Sequence, residues 1–87
     1  MIRERILELI VFFNLNNNDL ESISKISSHK WGNLKTGKQR ANEEHIEAIT
    51  KAYPEYAYWI TTGLTLPESG QISPELEETR QNLKKVG

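Results

Sequence analysis

Cysteine is absent from the 87-residue sequence, and histidine occurs only twice, as His29 and His45. The lack of cysteine excludes disulfide bonds and thiolate chemistry. Two imidazoles alone do not supply the tetrahedral ligand set of a structural zinc site, so we expect no metal and no other cofactor. An intracellular, cytoplasmic location fits a chain that has no disulfide-forming residue.

Long apolar stretches are also absent. The longest run, residues 9–13, is far shorter than the roughly 20 apolar residues of a membrane-spanning helix. Charged residues at positions 3, 4, 5 and 8 make this N-terminal segment amphipathic, unlike the apolar centre of a signal sequence. A chain of this length forms one domain and buries about three fifths of its unfolded surface. We therefore expect a small, all-helical core.

Acidic residues are missing from one part of the chain, between Glu21 and Glu43. Five basic residues lie in that interval: Lys25, Lys30, Lys35, Lys38 and Arg40. All 12 acidic residues lie outside it, although the chain as a whole has a net charge of only −1. Positive charge that is concentrated on one element attracts polyanions to that element, whatever the overall charge.

The N-terminal segment has the apolar periodicity of a helix over residues 2–13, with Ile6, Ile10 and Phe13 on its inner side. Arg3, together with the two glutamates that follow it, is expected on the opposite side of this helix. Further apolar residues in the segment widen the inner face. This wider face serves either core packing or a small partner surface.

Two short helices are predicted next. Asn16 caps a helix that runs to about Ser24, residues 25–27 form a tight bend, and Ser27 caps a helix over residues 28–35. Gly37 ends this second helix in the left-handed conformation. Together the two helices carry the basic segment.

The remaining helices follow from caps and helix-terminating residues. Asn42 caps a fourth helix whose inner face includes Ile46 and Ile49, and Pro54 closes it. A brief fifth helix covers residues 55–62 and ends at Gly63. Residues 64–71 lack periodicity and are predicted to be a surface linker. A final amphipathic helix then starts from a Ser-Pro-Glu sequence and has three apolar residues on one side, Leu76, Leu83 and Val86. Either the domain's own core or a second subunit covers that side.

Most of residues 2–63 resembles the helix-turn-helix domain of phage repressors, Cro proteins and other Xre-type regulators. The resemblance rests on matching positions throughout this range: Leu15, Asn16, Leu20, Ile26, Ser27, Trp31, Leu34, residues 36–38, Ile46, Ile49 and residues 58–63. It implies a compact five-helix, lambda-repressor-like DNA-binding domain over residues 1–63. Residues 64–87 would then be a linker and a C-terminal helix that serves as a tail or in dimerisation.

The chain departs from the family pattern at four positions of the two central helices: Glu21, Lys25, Trp31 and Gly32. The family usually has alanine at the first position, glycine at the second, and isoleucine or valine at the third. Gly32 within a helix costs about 1 kcal/mol relative to alanine. This glycine either allows close approach to the DNA backbone or is a tolerated irregularity of the helix. These departures predict that the unit is repacked.

The resemblance also implies residue roles. In such domains the second of the two helices lies in the major groove of double-stranded DNA. Three residues of the present chain would then face bases, namely Ser28, His29 and Asn33. Five others would contact phosphates: Asn17, Lys30, Lys35, Lys38 and Arg40.

The function implied is a sequence-specific transcriptional regulator, a phage- or prophage-type repressor that binds a palindromic operator as a homodimer. The alternative is an antitoxin or adaptor module of the same fold, whose main partner is a protein. An enzyme is not expected, because the sequence offers no combination of nucleophile, base and orienting group and no phosphate-binding glycine loop. No small-molecule substrate is expected either.

Overall fold

The computed structural model describes residues 1–86, with side chains described through Lys84. This part of the chain is all-helical, as predicted. Its α-helices are α1 (Ile2–Phe12), α2 (Asn17–Ser24), α3 (Ser28–Thr36), α4 (Glu43–Ala52), α5 (Ala57–Thr62) and α6 (Pro74–Val86). Two short 3-10 turns, Pro54–Tyr56 and Pro67–Ser69, precede α5 and α6.

A single apolar cluster, contributed by α1 to α5 and the turn before α5, holds these helices together. Its buried members are Ile6, Leu9, Ile10, Leu20, Trp31, Leu34, Ile49, Tyr56, Trp59 and Ile60. Phe13, just after α1, packs against the cluster and stacks on Tyr53 with ring centroids 4.5 Å apart. Val11, in contrast, is 78% exposed, so the widened face of α1 is only partly covered by the core.

The predicted caps are confirmed. Asn16 begins α2 in a reciprocal pair with Asp19, since each side chain accepts a hydrogen bond from the other's backbone N–H, at 2.8 and 2.9 Å. Ser27 Oγ accepts from the backbone N–H of the third residue of α3 at 3.3 Å. Asn42 begins α4. Gly37 ends α3 with a φ of 82°, in the left-handed region that glycine adopts without strain.

Two arginines of α1 reach across to the C-terminal ends of other helices. Arg3 Nε donates to the Leu34 carbonyl at 2.9 Å, and its Nη2 donates to the next carbonyl of α3 at 3.2 Å. Arg5 Nε donates to the Ile60 carbonyl of α5 at 2.8 Å. The spacing of Arg3 predicted a position on the outer side of α1. Its guanidinium is instead bonded to the end of α3 and is not a free charge in solvent. A cation at a helix C-terminus satisfies unpaired carbonyls and the helix dipole together.

Residues 64–71 were predicted to be a linker over the surface, and most of them are exposed, but the segment has a defined structure. The segment folds back on itself, because Leu66 and Gln71 exchange backbone hydrogen bonds at 2.8 and 3.0 Å. The Gln71 side chain then accepts from the Tyr58 backbone N–H at 3.0 Å and donates to the Pro54 carbonyl at 3.1 Å. These bonds to the region of α5 fix the point where α6 begins.

The final helix is anchored only at its start. Ser73, which caps α6 by accepting from the Leu76 N–H at 3.2 Å, is buried, and so are Pro74 and Glu77. The apolar side predicted for this helix does not pack on the core, since Leu76 is 37% and Leu83 69% exposed. The predicted place of Val86 on that side falls outside the described side chains.

Candidate nucleic-acid interface

The turn between α2 and α3 is built around one serine. Ser24 Oγ donates to the Leu20 carbonyl and accepts from the Ile26 backbone N–H at 3.0 Å. Lys25 follows in the left-handed conformation, with a φ of 67°. A side chain in this conformation costs roughly 1–2 kcal/mol, so the serine bonds offset a strain that glycine would have avoided.

The same serine fixes α3. Trp31 is completely buried, and its indole Nε1 donates to Ser24 Oγ at 2.9 Å. The indole ring also meets the His45 ring edge to face, with centroids 4.9 Å apart. A buried indole N–H needs a hydrogen-bond acceptor, and Ser24 provides it for Trp31. The serine late in α2 and the large residue in α3 therefore go together.

Glu21, the departure within α2, does not enter the apolar contact between α2 and α3. Its side chain is exposed, and one carboxylate oxygen accepts from the Ser28 backbone N–H at 3.3 Å. A carboxylate at this place satisfies an unpaired N–H in the first turn of α3 and meets the positive end of its dipole.

An open groove lies between the start of α2 and the outer face of α3. Nine residues line it, and none carries a carboxylate: Asn16, Asn17, Asn18, Ser28, His29, Gly32, Asn33, Thr36 and Lys38. The lining from α3 follows helical geometry, because residues four apart lie one turn apart on the same face. Five of the eight predicted contact residues are therefore brought together here.

Gly32 forms the floor of this groove. A Cβ atom built at this position would lie 3.5 Å from Asn17 Nδ2, which is an ordinary van der Waals distance. Asn17 Oδ1 is shielded from solvent and has no hydrogen-bond partner among the described residues. The missing side chain thus leaves the Asn17 amide against the backbone of α3, with its carbonyl oxygen unpaired.

Three predicted phosphate contacts lie outside the groove. Lys30 is exposed, and its charge helps to lower the pKa of His45 in α4. Lys35 lies beside the apolar residues of α1, including Val11. Arg40 lies near the N-terminal end of α1, beside Met1. None of these three side chains lines the groove.

His45 is the residue of this region that sequence reasoning missed. It is 1% exposed, its Nδ1 accepts from the Asn42 backbone N–H at 3.3 Å, and its Nε2 has no partner among the described residues. Burial lowers the pKa of its imidazole below 6.5, with a further decrease from Lys30 and an opposing effect of Glu44. The sequence could have indicated its burial, because His45 lies four residues before Ile49 and therefore on the inner face of α4.

Among residues 1–86, no group of three or more His, Cys, Asp or Glu side chains is placed to hold a metal ion. Within the same range, every helix is too short or too polar to cross a membrane.

No protein-family model and no curated protein matches the chain. Among solved structures, the chain is similar to Pf6r from the filamentous phage Pf6 of Pseudomonas aeruginosa PA01. The two share 30% sequence identity and superpose with a TM-score of 0.83, over 95% of this chain and 96% of Pf6r. The likeness therefore extends over α6 as well as the helices of the core. At this identity and coverage, the chain belongs to the same protein family as Pf6r of phage Pf6.

Proposed function

We propose that the chain is a sequence-specific, double-stranded DNA-binding transcriptional regulator of phage or prophage type. The groove between α2 and α3 is the observation that carries this proposal. It gathers hydrogen-bonding side chains and a lysine on one open face, and its lining has no carboxylate to repel a polyanion. Membership of a family with a phage protein supports the phage setting.

In this function α2 and α3 act as the helix-turn-helix unit, and α3 enters the major groove. An α-helix with its side chains is about 10–12 Å across, which fits the major groove's width of about 12 Å. His29 and Asn33 lie one turn apart, and Ser28 lies beside them at the N-terminal end. Asparagine bonds adenine through two hydrogen bonds, and a good bidentate pair contributes about 1–3 kcal/mol of discrimination.

Phosphate contacts come from the edges of the same face. Asn17 offers its amide at the start of α2, and Lys38 lies beyond the end of α3. Three further cations of the basic segment lie outside the groove: Lys30, Lys35 and Arg40. If four phosphates are neutralised per subunit, log affinity should fall against log salt with a slope of about −3.6, and twice that for a dimer.

Two copies on an inverted repeat supply the affinity that one small unit lacks. Such dimers place their recognition helices about 34 Å apart, one helical turn of DNA. Occupying the operator then blocks or recruits polymerase.

The test is a selection from a random duplex library at near-physiological salt, followed by sequencing of the retained DNA. We expect a two-fold symmetric motif, and we expect the joint substitution His29→Ala and Asn33→Ala to abolish it. Lys38→Ala should weaken binding to all sequences alike, because phosphate contacts carry no sequence information. Lys51→Ala removes a lysine from α4, away from the groove, and should leave binding unchanged. Retention without enrichment would contradict sequence-specific recognition.

A second candidate function is a protein-binding module, such as an antitoxin or adaptor. It is favoured by a separate groove between α2 and α4, where Ile23 is 41% exposed beside Ile26 and two alanines. Glu44 and Glu47 line its edge. If the selection retains no DNA, capture of a protein partner becomes the deciding experiment, and substitution of Ile23→Glu should abolish that capture.

A further inference from the structure

No described arginine lines the groove between α2 and α3. The chain has four arginines, and each has another place. Arg3 and Arg5 donate to the carbonyls at the ends of α3 and α5. Arg80 is paired with Glu77 of its own helix, and Arg40 lies near the N-terminal end of α1. Arginine is the side chain that most often bonds guanine, through O6 and N7 together. The groove therefore lacks the usual guanine contact.

The groove also lacks the side chains that select cytosine. Aspartate and glutamate accept a hydrogen bond from cytosine N4, but neither occurs among the described residues of the lining. The carboxylate of Glu21, at the start of α3, already accepts from the Ser28 backbone N–H at 3.3 Å. Lys38 is able to bond guanine, but it lies beyond the C-terminal end of α3, whereas the N-terminal residues of such a helix meet base edges.

One of the three predicted base contacts distinguishes adenine from guanine. The Asn33 amide offers one donor and one acceptor, which match N7 and N6 of adenine. Against guanine the amide oxygen would meet O6, a second acceptor. His29 is able to donate to N7, which both purines present, so it selects a purine without deciding which. The Ser28 hydroxyl donates and accepts, so it bonds any base. Asn33 therefore decides the base pair.

We propose that the operator half-site has an A·T pair where Asn33 meets the DNA, with the adenine bonded by the Asn33 amide. His29 lies about 6 Å away along α3, so it meets a purine of either kind within about two base-pair steps. No position under α3 requires guanine or cytosine. This assignment rests on the proposed function and deepens it, since it names the class of sequence that the same groove binds.

Asn33→Asp tests the assignment without changing the size of the side chain. The variant replaces the amide donor by an acceptor, so adenine N7 loses its partner while cytosine N4 gains one. In selection from a random duplex library, we expect the preference at this position to change from adenine to cytosine. Asn33→Gln keeps both amide groups and should retain adenine. Asn18→Asp, in the same lining, is the charge-matched control and should weaken binding to all sequences without changing the base preference.

A modified base tests the same hydrogen bonds from the side of the DNA. The position that Asn33 faces is the one whose base preference disappears in an Asn33→Ala variant. At this position 7-deazaadenine removes the N7 acceptor and keeps the base pair. In fluorescence anisotropy with a labelled duplex, we expect the native chain to bind this base about fivefold more weakly than adenine, because one hydrogen bond is lost. The Asn33→Ala variant should bind both duplexes equally. Guanine at this position should weaken binding to the native chain by about fivefold to a hundredfold.

Three results would overturn the assignment: an Asn33→Ala variant whose selected motif is unchanged, guanine or cytosine at that position in the native motif, or an Asn33→Asp variant that still selects adenine. Failure of the assignment is distinguishable from failure of the proposed function. A native chain that enriches a motif with another base at this position refutes the adenine contact and leaves the sequence-specific regulator standing. A library without any enriched motif refutes the regulator, and the adenine contact with it.

Discussion

Replacing Ser24 by alanine tests how α2 and α3 are held together. In the native protein Ser24 Oγ makes three hydrogen bonds, with the Trp31 indole N–H, the Ile26 backbone N–H and the Leu20 carbonyl. The alanine variant leaves a fully buried indole N–H without an acceptor. An unsatisfied buried donor costs about 1–3 kcal/mol, so we expect the free energy of unfolding to fall by about 2 kcal/mol. For a domain of this size that lowers the Tm by about 10 °C.

The assay is a double-mutant cycle measured by urea denaturation and circular dichroism. Trp31→Phe removes the indole donor, so Ser24→Ala should cost about 1 kcal/mol less in that background than in the native chain. Trp59 keeps a fluorescent probe in both backgrounds. Ser22→Ala, an exposed serine of the same helix, is the control and should stay within about 0.5 kcal/mol of the native value. Equal costs of Ser24→Ala in the two backgrounds would refute the coupling of the turn to α3.

Three further predictions concern single side chains. Arg3→Gln and Arg5→Gln should each lower the free energy of unfolding by about 1–2 kcal/mol. Amide hydrogen exchange should become faster at the end of α3 in the Arg3 variant and at the end of α5 in the Arg5 variant. The same exchange pattern in both variants would contradict separate caps. In urea denaturation, Gly32→Ala should raise the free energy of unfolding by up to about 1 kcal/mol, and Gly37→Ala should lower it by about as much, because only Gly37 has a positive φ. Changes of the same sign in the two variants would refute this. The pKa of His45 is lower in the folded than in the unfolded chain, so the unfolded chain binds more protons below about pH 6.5. The free energy of unfolding should therefore fall as the pH is lowered through this range. If a His45→Gln variant shows the same slope of unfolding free energy against pH between about pH 7.5 and 5.5, His45 is not the cause.

Local signals allowed the helix boundaries to be predicted from the sequence. The caps at Asn16, Ser27 and Asn42 act within three residues of their own position, so the sequence next to them contains the whole interaction. Gly37 and Gly63 end helices for an equally local reason, the left-handed backbone conformation. In each case a preference of one or two residues was sufficient, and no distant contact opposed it.

Long-range contacts account for what could not be predicted. Arg3 binds a carbonyl 31 residues away, and Gln71 binds Pro54 across 17 residues. The sequence around each of these residues therefore does not indicate its hydrogen-bond partner. The burial of His45 depends likewise on its contact with Trp31. For Trp31 itself, the sequence predicted a repacked unit but not its partner, because the serine lies seven residues earlier on another helix.

The candidate site was partly predictable. Helical spacing places Ser28, Gly32 and Thr36 on one line, and the groove at α2 and α3 contains them together with the other two predicted base contacts. The same spacing also separates Lys30 and Lys35 onto opposite flanks of α3, which net charge alone did not reveal. Of the three lysines predicted to contact phosphate, only Lys38 therefore lines the groove.

The measurement that tests DNA recognition by this groove most directly is a two-dimensional NMR titration of the full chain with an enriched duplex. We expect the largest shifts in amides from Asn16 to Asn18 and from Ser28 to Lys38, with little change in α4. Added salt should reverse them, because the affinity comes largely from phosphate contacts. Shifts concentrated in α4 and the C-terminal half of α2, with none across the groove, would contradict the account.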